Sequence, residues 1–253
     1  MNTIAAVLIV KNEAKCLKKC LDSVKDFVDE IVILDSGSSD DTESIARQYT
    51  DKFYTNKEWP GFGLQRQKAE SYVESDFVLW LDADEVVSDK LAKSIVASVN
   101  EHSDSTVYQL NRKNSAYGKV IHHSGWSPDW IVRLYKRGEA KYNSALVHEK
   151  VIYSGPSKHL DGYLFHETYD DLHHHIQKST YYIKLWADER EGKKKSGILT
   201  SLVHAFWAFF RMYFIHRGFL DGKHGFIIAW VAMHSTFVKY IDLYLREYKN
   251  DKS

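Results

Sequence analysis

The chain has 253 residues, enough for one or two domains with a full hydrophobic core and no need of disulfides or a structural metal. Lys plus Arg and Asp plus Glu are balanced at 34 each, so recognition of nucleic acid through bulk charge is not expected. Thirteen Gly and three Pro exclude collagen-like and low-complexity architectures. The two cysteines, Cys16 and Cys20, have a C-x-x-x-C spacing that matches neither a dithiol redox motif nor a usual zinc half-site. They read as reduced thiols of a cytosolic protein.

Ile4 to Val10 is a continuous apolar run, as in a strand buried on both faces of a parallel sheet. No basic segment or cleavage site precedes it, so no secretion signal is expected. Leu17, Leu21 and Val24 then show helical spacing, and Ile31–Leu34 is a second buried strand. Asp40 and Glu43 predict a capping box for a helix reaching Gln48. A short strand near Phe53, a helix over about 64–73 and a third strong strand, Phe77–Leu81, follow. Ser88 is placed to cap a helix to about Val99. Alternating strands and helices predict an open α/β sheet, whose ligands bind beyond the carboxyl ends of the strands. The polar clusters Asn12-Glu13, Asp35-Ser36 and Asp82-Ala83-Asp84 all fall there.

From Thr106 to Tyr153 short strands around Val107–Asn111, Ile131–Tyr135 and Lys150–Tyr153 alternate with polar loops, which predicts a mixed or antiparallel extension of the sheet. A helix is expected from Leu172 to about Glu191, opened by Asp170-Asp171. His173-His174-His175 lie about 100° apart on such a helix, so they suit a solvated helix start better than a shared metal ion. After the basic break Gly192–Gly197 come two apolar, aromatic helices, Ile198–Ile215 and Phe226–Leu245. Residues 181–253 hold 12 Lys and Arg against 7 Asp and Glu, a net +5, which leaves −5 on the first 180. No run of 18 uncharged apolar residues occurs, so an ordinary spanning helix is not expected. An aromatic face beside Arg190, Lys193, Lys194 and Lys195 suits the headgroup boundary of an anionic membrane; a packing or dimerisation hairpin is the other reading. The expected division is 1–100 and 101–191, two halves of one domain, and 192–253, a helical membrane-associating or packing extension.

Two carboxylates at i, i+2 after a buried strand, Asp82 and Asp84, can reach one hard divalent ion that keeps positions open for phosphate oxygens. Such an ion stabilises the charge that develops on a departing nucleoside diphosphate. In Asp35–Thr42, Gly37 permits tight curvature and Asp35 can accept from a nucleobase N–H. Walker and G-x-G-x-x-G motifs are absent, which disfavours ATPase and dinucleotide oxidoreductase readings.

Three motifs, Val7–Glu13, Asp35–Thr42 and Leu81–Glu85, resemble those of family 2 glycosyltransferases of the GT-A fold, and they cover the first hundred residues. Trp126–Trp130, Arg133-Leu134-Tyr135, Val147-His148-Glu149 and His166–Tyr169 are similar to the bacterial branch that adds glucose to the inner-core heptose of lipopolysaccharide. The resemblance implies a GT-A domain with one Rossmann-like mixed sheet, followed by the helical hairpin. It implies an inverting transfer from a nucleotide sugar, UDP-glucose in this branch, with Mg²⁺ or Mn²⁺. By position, Val10, Lys11, Asn12, Glu13, Asp35 and Ser36 would border base and ribose, and Asp82 the ribose or diphosphate. Arg66 and Lys68 would contact the donor, or else lie on a solvated helix face. Asp84 would hold the metal, with His166 completing its shell or packing in the core. The family's Glu-Asp pair reads His148-Glu149 here, a departure, so Glu149 is assigned as general base, with Asp129 next. Trp126, Arg133 and His148 would face the acceptor. The processive motif Q-x-x-R-W is absent, which implies addition of one sugar. The implied setting is the cytoplasmic face of the inner membrane, with a lipid-linked glycan as acceptor. The alternatives are a nucleotidyltransferase and a non-catalytic membrane adaptor.

Overall fold

The computed structural model describes residues 1–146 and 149–250, with side chains through Tyr248. It comprises two units, residues 1–112 with 129–166, and residues 113–128 with 167–253, the latter described to 250. In the first unit, β1 (Ile4–Val10) lies between β2 (Glu30–Asp35) and β4 (Phe77–Trp80), parallel to both, with β3 (Phe53–Thr55) parallel outside β2. β1, β4 and the Ile31–Leu34 stretch of β2 are apolar at every position because both faces are covered. Ala6, Leu8, Ile33 and Leu79 pack on one side with Leu17 and Leu21 of α1 (Leu17–Asp22) and Leu91, Ile95 and Val99 of α4 (Asp89–Asn100). Ala5, Val7, Val32 and Trp80 face the other way, against Ala69 of α3 (Phe62–Glu70) and Val73 just beyond it. Trp80 buries its indole N–H by donating to the Tyr135 hydroxyl (2.8 Å), which donates to Glu70 (2.7 Å).

The extension is mixed, one of the two arrangements expected: mostly antiparallel, with the short strand Ser157–His159 parallel to Val107–Ala116, and richer than the apolar pattern indicates. β8 (Asp129–Lys136) pairs with β4 and with β6 (Val107–Ala116), and β12 (Leu164–Tyr169) follows β6 and pairs with β5 (Glu85–Val87). β7 (Lys119–Val120) and β11 (Ser157–His159) hang on β6, while β9 (Ala140–Tyr142) and β10 (Val151–Tyr153) form a separate two-stranded ribbon. The α/β class, a mixed GT-A-type sheet with flanking helices and a C-terminal helix pair, is as the sequence predicts.

Ser88 caps α4 as predicted, accepting from Leu91 N. The capping box at Asp40/Glu43 does not form. α2 (Thr42–Ala46) is shorter, Asp40 accepts from Thr42 N (3.1 Å) and Glu43 pairs with Arg47 (3.1 Å). In the second unit α5 (Leu172–Arg190) starts on Asp171, which accepts from His174 N (2.8 Å). The three histidines there are not uniformly solvated. His175 is buried, stacks on Tyr169 at 3.7 Å and meets the Tyr117 hydroxyl at 2.5 Å; burial, then the nearby His174 and Lys178, holds its imidazole down to about 4. α6 (Ile198–Phe210) continues through a π turn to Ile215, and after a 3₁₀ turn at 218–221 the chain returns in α7 (Lys223–Asn250). Both helical stretches are long and apolar enough to cross a membrane once a few charged residues are allowed, which the stricter uncharged-run criterion misses.

Candidate active site

β1, β2 and β4 run parallel, so the segments that follow them emerge at one edge of the sheet. The first two are laced together. Asn12 sits at φ +57°, a left-handed conformation that Asn tolerates better than most residues. There its N–H donates to Ser38 Oγ (2.8 Å) and its side-chain carbonyl accepts from Ser39 N (2.8 Å). Glu13 N donates to Thr42 Oγ1 (2.8 Å), and Ala14 N to Asp40 (3.1 Å). Asp35 is buried and accepts from Gly37 N (2.8 Å), Ser38 N (2.9 Å) and the Ser38 hydroxyl. Its carboxylate therefore shapes its own turn, in addition to any nucleobase contact. Ser36 Oγ accepts from buried Gln65 (3.0 Å), Gln65 accepts from Asn56 (2.8 Å), and Lys68 donates to Asn56 (2.8 Å). Ser36 and Lys68 thus share one chain of hydrogen bonds, through two residues that sequence reasoning passed over.

The two aspartates after β4 have different surroundings. Asp82 is gripped by two guanidiniums, Arg66 Nη2 at 2.7 Å and Arg133 Nη2 on its other oxygen. Burial works against its charge, but Arg133 and Arg66 prevail and hold its carboxyl well below the usual range. Arg133 also reaches Glu85 (3.2 Å), Arg112 reaches Glu85 (3.5 Å) and Asp129 (2.8 Å), and Arg66 Nε donates to Glu149 (3.1 Å). One network therefore runs Glu149–Arg66–Asp82–Arg133–Glu85–Arg112–Asp129. Burial pushes the Glu85 carboxyl up, Arg133 opposes this, and the Asp82 charge adds to the rise. Arg66, 5% exposed in its side chain, lies over the rings of Trp80 (5.1 Å) and Tyr142 (5.0 Å) and, among the described residues, leaves Nη1 buried without a partner. It is no solvated helix face. Arg133, expected toward the acceptor, is buried and held by Asp82 and Glu85.

Asp84 meets His166 instead, carboxylate to Nε2 at 3.3 Å. The register explains it: β12 runs antiparallel to β5 with His166 opposite Glu85, one residue beyond Asp84. The structure therefore brings together the two residues assigned to the metal. Among the described residues no group of three or more His, Cys, Asp or Glu is placed to hold a metal ion.

A cavity of about 610 Å³ opens beside the network, lined by Arg66, Asp82, Arg112, Arg133 and Glu149 and walled by Trp130, Tyr142 and Tyr153. Trp130 is itself stacked on His159 at 3.8 Å. Glu149 lies close to α3 because the preceding loop is laid on that helix. Phe62 N and Gly63 N donate to Leu146 O (3.1 Å) and Ala145 O (3.0 Å), and any Cβ at Gly63 would fall 2.0 Å from Asn143 O. His148 lies outside the described residues. Trp126 belongs to the second unit, where its ring packs near Tyr169 (5.9 Å).

The chain belongs to glycosyltransferase family 2: the model of that family, Glycosyl transferase family 2, matches residues 5–161. An uncharacterized glycosyltransferase of Rickettsia felis is 28% identical to it over 94% of this chain and 88% of its own length. The lipopolysaccharide core biosynthesis glycosyltransferase LpsC of Rhizobium meliloti is 28% identical over 96% of this chain and 92% of its own. Among solved structures, residues 1–349 of S. aureus TarS align over 99% of this chain and 92% of that one, with 16% identity and a TM-score of 0.46.

Proposed function

We propose that the chain is an inverting transferase that moves one hexose, glucose from UDP-glucose, onto a lipopolysaccharide inner-core heptose or a similar envelope glycan. The observation that carries the reading is the meeting of Asp84 and His166 at the sheet edge where β1, β2 and β4 end. The likeness to LpsC supports the acceptor class.

One carboxylate and one imidazole, with further positions open to phosphate and water, suit a divalent ion of the Mg²⁺ or Mn²⁺ kind. Asp84 and His166 would hold it, and when bound it supplies positive charge against the departing diphosphate. Asp82, fixed by Arg66 and Arg133, presents its edge to the ribose and diphosphate. The laced segments Val10–Glu13 and Asp35-Ser36 border the nucleoside, with Lys68 alongside through Asn56. Glu149 takes the proton of the acceptor hydroxyl as its oxygen attacks the anomeric carbon opposite the leaving group. Glu149 is preferred to Asp129 because it lines the cavity, and the rings of Trp130, Tyr142 and Tyr153 give a sugar apolar faces to lie on. The acceptor is lipid-linked, and the protein sits peripherally on the cytoplasmic face of the inner membrane.

Calorimetry of UDP-glucose and other nucleotide sugars, with Mn²⁺ or Mg²⁺, tests the donor. Mass spectrometry of the core glycan from a deletion strain tests the acceptor, and a deficit of one hexose is expected. A chain that binds no nucleotide sugar with either ion, or a strain with unchanged core glycan, defeats the reading.

A further inference from the structure

In the helix pair of the second unit, α6 is packed with its small residues inward and its large apolar residues outward, while α7 buries Ile228, Ala229, Val231, Tyr240 and Leu243. On α6 the buried positions are Ser201 and Ala205, while Leu199, Val203, Phe206, Trp207 and Phe210 are exposed, Phe206 to 64%. α7 adds exposed Phe226, Ile227 and Trp230. Small residues between helices and large ones outside are how helices pack when lipid, not water, surrounds them. Contiguous exposed apolar surfaces on proteins mark sites of contact with membranes or partners.

Both ends of this hairpin are tied to protein. At the tip, buried Asp221 accepts from His122 N (3.1 Å) and His123 N (2.9 Å), its carbonyl accepts from Lys119 Nζ (2.9 Å), and Ser124 N donates to His216 O (2.9 Å). At the open end, Ser196 Oγ donates to Tyr240 O (2.8 Å), and Arg246 pairs with Asp188 (2.6 Å) and Glu191 (3.0 Å). A tip held this way, carrying Arg211, Arg217 and Lys223 around it, cannot lead the hairpin through hydrocarbon without breaking those bonds.

Beside the apolar face lies a knot of cations. Arg190 sits over Trp186 (4.7 Å), Lys239 over the same ring (5.1 Å), and Lys194 over Tyr240 (4.9 Å) while donating to its hydroxyl (3.2 Å). Arg190 also has Glu189 at 2.8 Å, but among the described residues neither Lys194 nor Lys239 forms an ion pair. Burial, then Arg190, Lys194 and Arg211, push the Lys239 ammonium down, as expected of crowded like charges. The knot adjoins the apolar face through His204, which stacks on Tyr240 at 4.3 Å one turn before Trp207.

We propose that the α6–α7 hairpin lies in the plane of one leaflet of an anionic phospholipid bilayer, its rings in the acyl boundary, with a lipid phosphate held by Arg190, Lys194 and Lys239. This rests on the membrane placement above and not on the sugar chemistry. Charge complementarity selects the occupant, since only an anionic headgroup surface answers both the cation knot and the apolar face.

The full chain, mixed with vesicles of phosphatidylcholine alone or with phosphatidylglycerol, is expected to float with the anionic vesicles. Replacing both Lys194→Gln and Lys239→Gln should lower the partition coefficient about thirtyfold, at about fivefold per basic residue. Phe206→Ser, Trp207→Ser and Phe210→Ser together should abolish flotation and leave the melting temperature unchanged. In a Cys16→Ser background, Arg217→Cys should stay open to an impermeant maleimide after binding. A folded chain that never floats, one that floats equally well on neutral vesicles, or a double Lys variant that floats like wild type overturns the proposal. So does a protected Arg217→Cys, which means spanning, or a ring variant that melts early, which means the rings are core. Turnover without flotation defeats this inference alone, and flotation without turnover defeats the sugar reading alone.

Discussion

Asp82→Asn removes the carboxylate that Arg66 and Arg133 share. Breaking a buried ion pair by deleting one partner costs roughly 3–5 kcal/mol, because a charge is left without its counter-charge. Here Arg133 retains Glu85 and Arg66 retains Glu149, and the Asp82 side chain is 31% exposed, so the lower end, about 3 kcal/mol, is expected. Urea unfolding of wild type, Asp82→Asn, Arg133→Met and the double variant measures it. Groups in one network should couple by about 1–3 kcal/mol, with the double variant less damaged than the singles summed. The pH dependence follows from the lowered Asp82 carboxyl. Its unfolded value is about 3.9, so the stabilisation is complete above about pH 4 and is lost as pH falls through the lower folded value. Glu85, raised when folded, acts oppositely, favouring the fold below its unfolded value of about 4.3 and losing that share as pH rises. Asp82→Asn should therefore flatten the acid limb. Additive single variants with an unchanged acid limb would refute this account of the network.

Asp84→Asn should leave the unfolding free energy within about 0.5 kcal/mol of wild type, as for substitutions away from core and network, yet abolish metal-dependent turnover; full turnover in excess chelator would remove the ion from the mechanism. Glu149→Gln should lower kcat by about 10²–10⁴ while leaving donor affinity nearly intact; lost donor binding would move Glu149 to the nucleotide site, and inactive Asp129→Asn beside active Glu149→Gln would make Asp129 the base. His175 should titrate near 4 by NMR, and because its folded value lies below the unfolded 6.5, stability should fall by ~3 kcal/mol as pH drops from about 6.5 through about 4. A midpoint near 6.5 would show that the ring is hydrated.

The parallel half of the sheet was legible because a strand covered on both faces must be apolar at every position, and Ile4–Val10, Ile31–Leu34 and Phe77–Leu81 announce that directly. β5, β7 and β11 were not, since Glu85–Val87, Lys119–Val120 and Ser157–His159 are two or three residues long and take their conformation from a partner strand. The place of His166 depends on the register of β12 on β5, which no local pattern encodes. Arg66 could not be told from a solvated helix residue. Its carboxylates lie 16 and 83 residues away, and its neighbour Gln65 is buried as fully as any leucine.

Asp82-Ala83-Asp84 reads in sequence as two equivalent carboxylates facing one ion, and the structure breaks that equivalence. Both Asp82 oxygens are taken by guanidiniums, so it could ligate a cation only by surrendering Arg66 or Arg133 and bringing two positive charges against a third. Among the described residues Asp84 faces the His166 imidazole, a side chain of the type that also ligates divalent ions. The same residue type therefore carries different work two positions apart. Asp82 ties β4, α3 and β8 together around the cavity through Arg66 and Arg133, and in the proposed reaction Asp84 is the carboxylate that would hold the cation. Substituting them should damage different observables: folding stability and the acid limb at Asp82, metal affinity and turnover at Asp84. If the metal-binding defect instead followed Asp82→Asn while Asp84→Asn bound the ion normally, the roles would be exchanged, and the guanidinium pairing of Asp82 would have to open before the donor could bind.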